Sequence, residues 1–96
     1  MTFDRLVFRV HAIQRMALRD DISEAEVHAV LTTGEAIEEY LDDTPFPSRL
    51  VLGWVGSRPL HVVAADNPEE EDTIVITVYE PEPDQWEVGF RRRRPA

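Results

Sequence analysis

The chain has 96 residues, of which 43% are hydrophobic and 30% charged, with no cysteine and a formal net charge of −9. That length holds one hydrophobic core rather than two, and the composition is that of a folded domain. The lack of cysteine excludes a disulfide scaffold, a thiolate metal site and a cysteine nucleophile.

The opening residues MTFDRLVFRV lack the basic-then-apolar pattern of a signal peptide, and no stretch approaches the ~20 apolar residues of a membrane span. A cytoplasmic protein without a membrane partner is expected. All 19 acids lie at or before Glu87, whereas Arg91, Arg92, Arg93 and Arg94 form a basic end, and there is no lysine. An acidic body repels nucleic acid at long range, so charge alone disfavours RNA. The same distribution suits a protein partner of mixed charge.

In chain order, residues 3–8 read as a short strand or an extra helical turn. Residues 10–19 read as a helix, with Val10, Ile13, Met16 and Ala17 on one face and His11, Arg15 and Arg19 on the other. Leu18 lies at the edge of that polar stripe. Asp20-Asp21 makes the turn. Ser23 with Glu26 three residues on is a capping box, flanked by the hydrophobic staple Ile22–Val27. Val27, Val30 and Leu31 supply the buried stripe of this second helix, and Gly34 stops it.

Beyond Gly34 the period changes to that of strands. Residues 35–40 suggest an edge strand, and 42–47, with Pro45 and Pro47, a loop. Strands over 50–55 and 58–65 are joined by Gly56-Ser57 as a hairpin turn. Residues 67–72 are an exposed acidic loop, and 73–79 is the strongest strand, β-branched from Thr73 to Val78. Pro81 and Pro83 end it. Asp84 caps a short helix carrying Trp86 and Phe90, although the alternation Trp86, Val88, Phe90 also suits a last strand. The expected fold is α+β: two N-terminal helices on one face of a four-stranded antiparallel meander, plus a short C-terminal helix. The other face is left free for a partner or substrate. A single domain spans 1–90, with an Arg-rich tail at 91–96.

The segment His11-Ala12-Ile13-Gln14-Arg15-Met16-Ala17-Leu18-Arg19 followed by Ile22-Ser23, with Leu60-His61-Val62-Val63 and Thr77-Val78-Tyr79-Glu80-Pro81, resembles domain-of-unknown-function family 4258. That family has no established activity. It is similar to the compact RelE-like toxin domains, which pair N-terminal helices with an antiparallel sheet and often cleave RNA. The resemblance implies a RelE-like fold, an antitoxin or other small protein as partner, and metal-independent ribonuclease chemistry. The strong acidity departs from typical RelE-like domains.

Such cleavage needs a base for the 2′-hydroxyl, cations for the phosphate and an acid for the leaving oxygen. Histidine suits proton transfer, and arginine grips phosphate through bidentate hydrogen bonds. His11, Arg15 and Arg19, at i, i+4 and i+8, form a phosphate-facing strip or a solvated helix face. His61 sits in an apolar strand with Val63 and Ala65 on its side, as an acid or base or as a hydrogen-bonded core residue. Tyr79, sharing parity with Thr73, Val75 and Thr77, supplies a phenol beside His61 if the strands align, or a packed ring. The candidate catalytic set is His11, Arg15, Arg19, His61 and Tyr79. His28, one turn after Glu24, lacks the pairing of a metal motif; no metal or cofactor is expected. Trp54, with Leu50 and Leu52, reads as core. A non-catalytic interaction module on the same fold is the alternative.

Overall fold

The computed structural model describes residues 3–95. Its elements are β1 (Arg5–Phe8), α1 (Val10–Leu18), α2 (Glu24–Thr33), β2 (Glu35–Tyr40), β3 (Ser48–Val55), β4 (Arg58–Asn67) and β5 (Asp72–Tyr79). Local chemistry sets α2. The Ser23 hydroxyl accepts from the Glu26 backbone N–H at 3.1 Å, and the Glu26 carboxylate accepts from the Ser23 N–H at 2.9 Å. Two of the unpaired donors at the start of the helix are thereby satisfied. Gly56, at φ +62°, takes the left-handed turn position between β3 and β4, where Val55 pairs with Arg58.

The sheet has five strands in the order β1-β5-β4-β3-β2. This corrects the expected four-stranded antiparallel sheet. Residues 5–8 form a strand with Leu6 and Phe8 half-buried, and it pairs parallel to β5 from Arg5↔Asp72 to Phe8↔Val75. The remaining pairs are antiparallel. The sheet is therefore mixed, because β5 returns between β1 and β4 instead of lying at the edge.

Ala12, Met16, Val27, Val30 and Leu31 of the helices pack on Val51, Leu60, Val62, Ala64, Val75 and Val78. Each fully buried aliphatic side chain in this layer contributes about 1.5–3 kcal/mol. Gly53 permits the close seat of α2: a Cβ there would lie 2.8 Å from Val30 Cγ1. In α1 the buried face overlaps the expected one only at Met16. Ala12 and Met16 are buried, while Val10 is 70%, Ile13 51% and Leu18 83% exposed. The Arg9 N–H donates to the Val75 carbonyl at 3.0 Å, bringing the helix start down on β5. The small Ala12 side chain allows that approach.

The short C-terminal helix is absent. After Pro81 and Pro83, Gly89 (φ +92°) and Phe90 (φ +60°) take left-handed backbone that no helix admits. The chain reverses there, so Trp86 bridges Arg93, and the Glu87 and Arg94 N–H groups donate to Arg92 and Gln85 carbonyls at 2.8 and 2.9 Å. This folded-back segment lies over the sheet face opposite the helices, which the sequence reading left free, and Trp86 on it is only 2% exposed. Ala96 of the expected tail lies outside the described residues. No helix among them is long and apolar enough to cross a membrane.

Candidate functional site

His61 lies in the middle of β4, with Leu52 of β3 on one side and Tyr79 of β5 on the other. Alternation along β4 sends Leu60, Val62 and Ala64 to the helices and His61 to the opposite face. Tyr79 shares that face for a reason that simple alternation along β5 misses. Val63 pairs with Thr77 but Ala64 with Val75, so Ile76 is an extra residue, a bulge. Below it Val75 faces the core; above it Thr77 and Tyr79 face away. The expected shared parity of Tyr79 with Thr73 and Val75 is thus broken.

The imidazole is fully buried. Its Nε2 lies 2.9 Å from the Phe90 carbonyl oxygen, which can only accept. Nε2 therefore carries the proton, and Nδ1 accepts from the Tyr79 hydroxyl over a long 3.3 Å. Burial holds the His61 pKa below its ordinary value, against a smaller opposing effect of the Phe90 carbonyl. Burial also raises that of Tyr79, so the pair is neutral and protonated on the phenol. Trp86 closes over the ring edge to face, with centroids 4.4 Å apart.

Arg93 locks this cover. Its guanidinium donates twice to Glu38, at 3.0 and 3.1 Å, and stacks 4.7 Å from the Trp86 ring centre. The Tyr40 hydroxyl donates to the same carboxylate at 2.6 Å. The Arg93 hydrogen bonds, outweighing burial, hold the Glu38 carboxyl below its usual range. Burial, with the Glu38 hydrogen bond second, pushes the Tyr40 phenol up to about 12.

On the other side of Tyr79 stands α1. The Arg15 guanidinium carbon lies 5.6 Å from the Tyr79 ring centre, and Arg15 pairs with Asp20 at 3.5 Å. Arg58 fixes that turn, donating to the Asp20 and Asp21 carbonyls and to Glu80. Arg15, Arg19, Tyr79, Glu80, Glu82 and Gln85 line a groove of about 260 Å³. A more apolar groove of about 340 Å³ runs past Ile13 and Met16, but none of the five residues singled out in the sequence lines it.

Of the five residues singled out in the sequence, the fold joins Arg15, His61 and Tyr79 in a continuous set of contacts, and Arg19 lines the same groove. His11 is exposed, one turn before Arg15 on α1. Sequence reasoning missed Glu38 and Arg93, whose pairing spans 55 residues and leaves no local signal. Among the described residues, no three His, Asp or Glu side chains gather to hold a metal ion.

These elements define a small α+β domain: an αα-hairpin on a mixed sheet, with a guarded His–Tyr pair and an arginine groove beside it. Residues 8–80 match the model of the family described as domain of unknown function (DUF4258), and the chain belongs to that family. No curated protein and no solved structure matches it.

Proposed function

We propose that the protein is a RelE-like toxin-type domain acting as a metal-independent endoribonuclease, with its site in the groove between α1 and β5. The observation that carries this reading is the stack of Arg15 over Tyr79, whose hydroxyl is backed by His61. Arg15 and Arg19 would hold the scissile phosphate. Tyr79, its pKa raised by burial, keeps its proton at neutral pH and would turn it from His61 to the leaving 5′-oxygen. His61, walled off from solvent, is a positioning residue that aims the phenol. His11, the exposed imidazole of the same helix, would take the 2′-hydroxyl proton. The RelE-like part of the reading is an analogy of plan: an αα-hairpin laid on a sheet.

Induced expression in a bacterial host, followed by growth and total RNA, tests it. Wild type should arrest growth and cleave RNA. Tyr79→Phe should lose about 10²- to 10⁴-fold of the rate, and Arg15→Ala/Arg19→Ala should lose more. Purified, folded wild type that leaves single-stranded RNA intact sinks the reading.

Val10 and Leu18, 70% and 83% exposed on α1, favour a second reading. On it the domain is a non-catalytic module whose α1 docks a small protein, of antitoxin type or otherwise.

A further inference from the structure

Trp54 breaks the pattern of the sheet face it belongs to. Leu50 and Leu52, on the same side of β3, are 0% and 3% exposed, whereas Trp54 is 50% exposed. Phe90 meets it edge to face at 6.1 Å, which leaves much of the indole in solvent. The residues following Phe90 are Arg91, Arg92, Arg93 and Arg94, and no acid follows Glu87. Arg91 is drawn over this end of the sheet by Glu35, at 3.0 Å, and Glu35 pairs with Leu52. Both partners of that ion pair are more than half exposed, so it holds Arg91 weakly and leaves it free to exchange partners. Arg92 has no ion pair among the described residues.

We propose that Trp54, with Phe90, Arg91 and Arg92, is a stacking platform for a base of single-stranded RNA. The proposal rests on the ribonuclease reading for its choice of RNA and adds a second contact to that site. A half-exposed indole in contact with Phe90, the residue that leads into the arginine run, offers a π-face to any base, and the run offers cations to the adjoining phosphates. Local charge supports it: on an acidic body, the four consecutive arginines from Arg91 to Arg94 make a basic corner that attracts a polyanion. The spacing fits as well. Trp54 stands on β3 and Tyr79 on β5, two strand spacings apart, or roughly 10 Å. The register offsets them by a further two residues, since Trp54 pairs with Pro59 and Tyr79 with His61. A short single-stranded segment can reach from the platform to the Arg15–Arg19 groove, where Glu80 and Glu82 stand at the rim. Duplex RNA, with its bases stacked inside, cannot use the indole.

The test is binding of fluorescein-labelled, 2′-O-methylated oligoadenylate and oligouridylate, which lack the nucleophile for cleavage, with a duplex of the same length beside them. Wild type should bind the single strands with quenching of tryptophan emission. Trp54→Ala should weaken binding about tenfold or more, and Trp54→Phe should retain most of it. Arg91→Ala/Arg92→Ala should flatten the slope of log affinity against log salt by about 1.4. Near-ultraviolet circular dichroism from buried Trp86 confirms that each variant is folded. Unchanged binding by Trp54→Ala, preference for the duplex, or no binding at low salt overturns the platform; the last outcome makes the patch a protein contact. Cleavage unaffected by Trp54→Ala would leave the ribonuclease reading standing without the platform. Binding without cleavage by wild type on unmodified RNA would do the reverse.

Discussion

Arg93 reaches back from the C-terminal segment to grip Glu38 of the edge strand through two hydrogen bonds, at 3.0 and 3.1 Å. The stretch between Trp86 and Arg93 thereby becomes a cover over His61, with Trp86 as the plug and the Phe90 carbonyl as the contact that sets the imidazole tautomer.

Removing the plug should cost more than removing the clasp. Trp86 is 2% exposed, so Trp86→Ala is expected to destabilise the fold by about 3–5 kcal/mol. The Arg93–Glu38 pair is partly exposed, and Arg93→Ala should cost no more than about 1 kcal/mol from lost charge pairing. Urea denaturation of the two variants checks the order; equal losses would refute the role given to Trp86.

Burial of His61 makes stability depend on pH. Its folded pKa lies below the unfolded value, so at mildly acidic pH the unfolded chain binds the extra proton. Stability from this residue is complete above its ordinary pKa of about 6.5 and falls as pH drops below it. Denaturation midpoints at pH 7.5 and 5.5 should differ in wild type and differ less in His61→Gln. NMR titration of the imidazole reads the shift directly.

Tyr40 works at the other end of the scale. With its phenol at about 12 in the folded chain, the unfolded chain ionises first, and stability declines as pH rises above about 10. Burial is the larger cause, so Glu38→Gln should lower the Tyr40 midpoint only part of the way. Tyrosinate absorbance against pH in Tyr79→Phe, where Tyr40 is the remaining tyrosine, gives the answer.

Gly53 is a packing constraint. Gly53→Ala would set a Cβ 2.8 to 3.0 Å from three side-chain carbons of Val30, an overpacking expected to cost about 1–3 kcal/mol. Adding Val30→Ala should recover part of that loss, although Val30→Ala alone destabilises. A double-mutant cycle with no coupling would show that α2 does not press on β3 as described.

What the sequence disclosed were features encoded by neighbours. The Ser23–Glu26 box and the Gly56 turn are chemistry within four residues, and α2 and the β3–β4 hairpin follow from them. The pairing of β1 with β5 joins the two ends of the described fold, and no local pattern announces it. The bulge at Ile76 is equally silent in a run of β-branched residues, yet it puts Tyr79 on the face of His61. In α1 the hydrophobic pattern was right for Met16 and misled for Val10 and Ile13, because the smaller Ala12 meets the sheet in their place. His61 and Tyr79 share a face because of the bulge, and were legible as neighbours only on the condition that β4 and β5 align. Their cover was not, since it depends on a left-handed Phe90, a conformation that side chain does not advertise.

The parallel seam between β1 and β5 also dictates an order of assembly. On a ribosome, β1 emerges first and β5 last of the strands, and β5 must slot between two strands already made. Until residue 72 has been translated, both β1 and β4 carry a bare row of hydrogen-bonding groups. A nascent chain stalled short of that point is therefore sticky at two edges. Completing β5 seals both in one event, so the finished protein should become soluble and protease-resistant abruptly rather than by degrees.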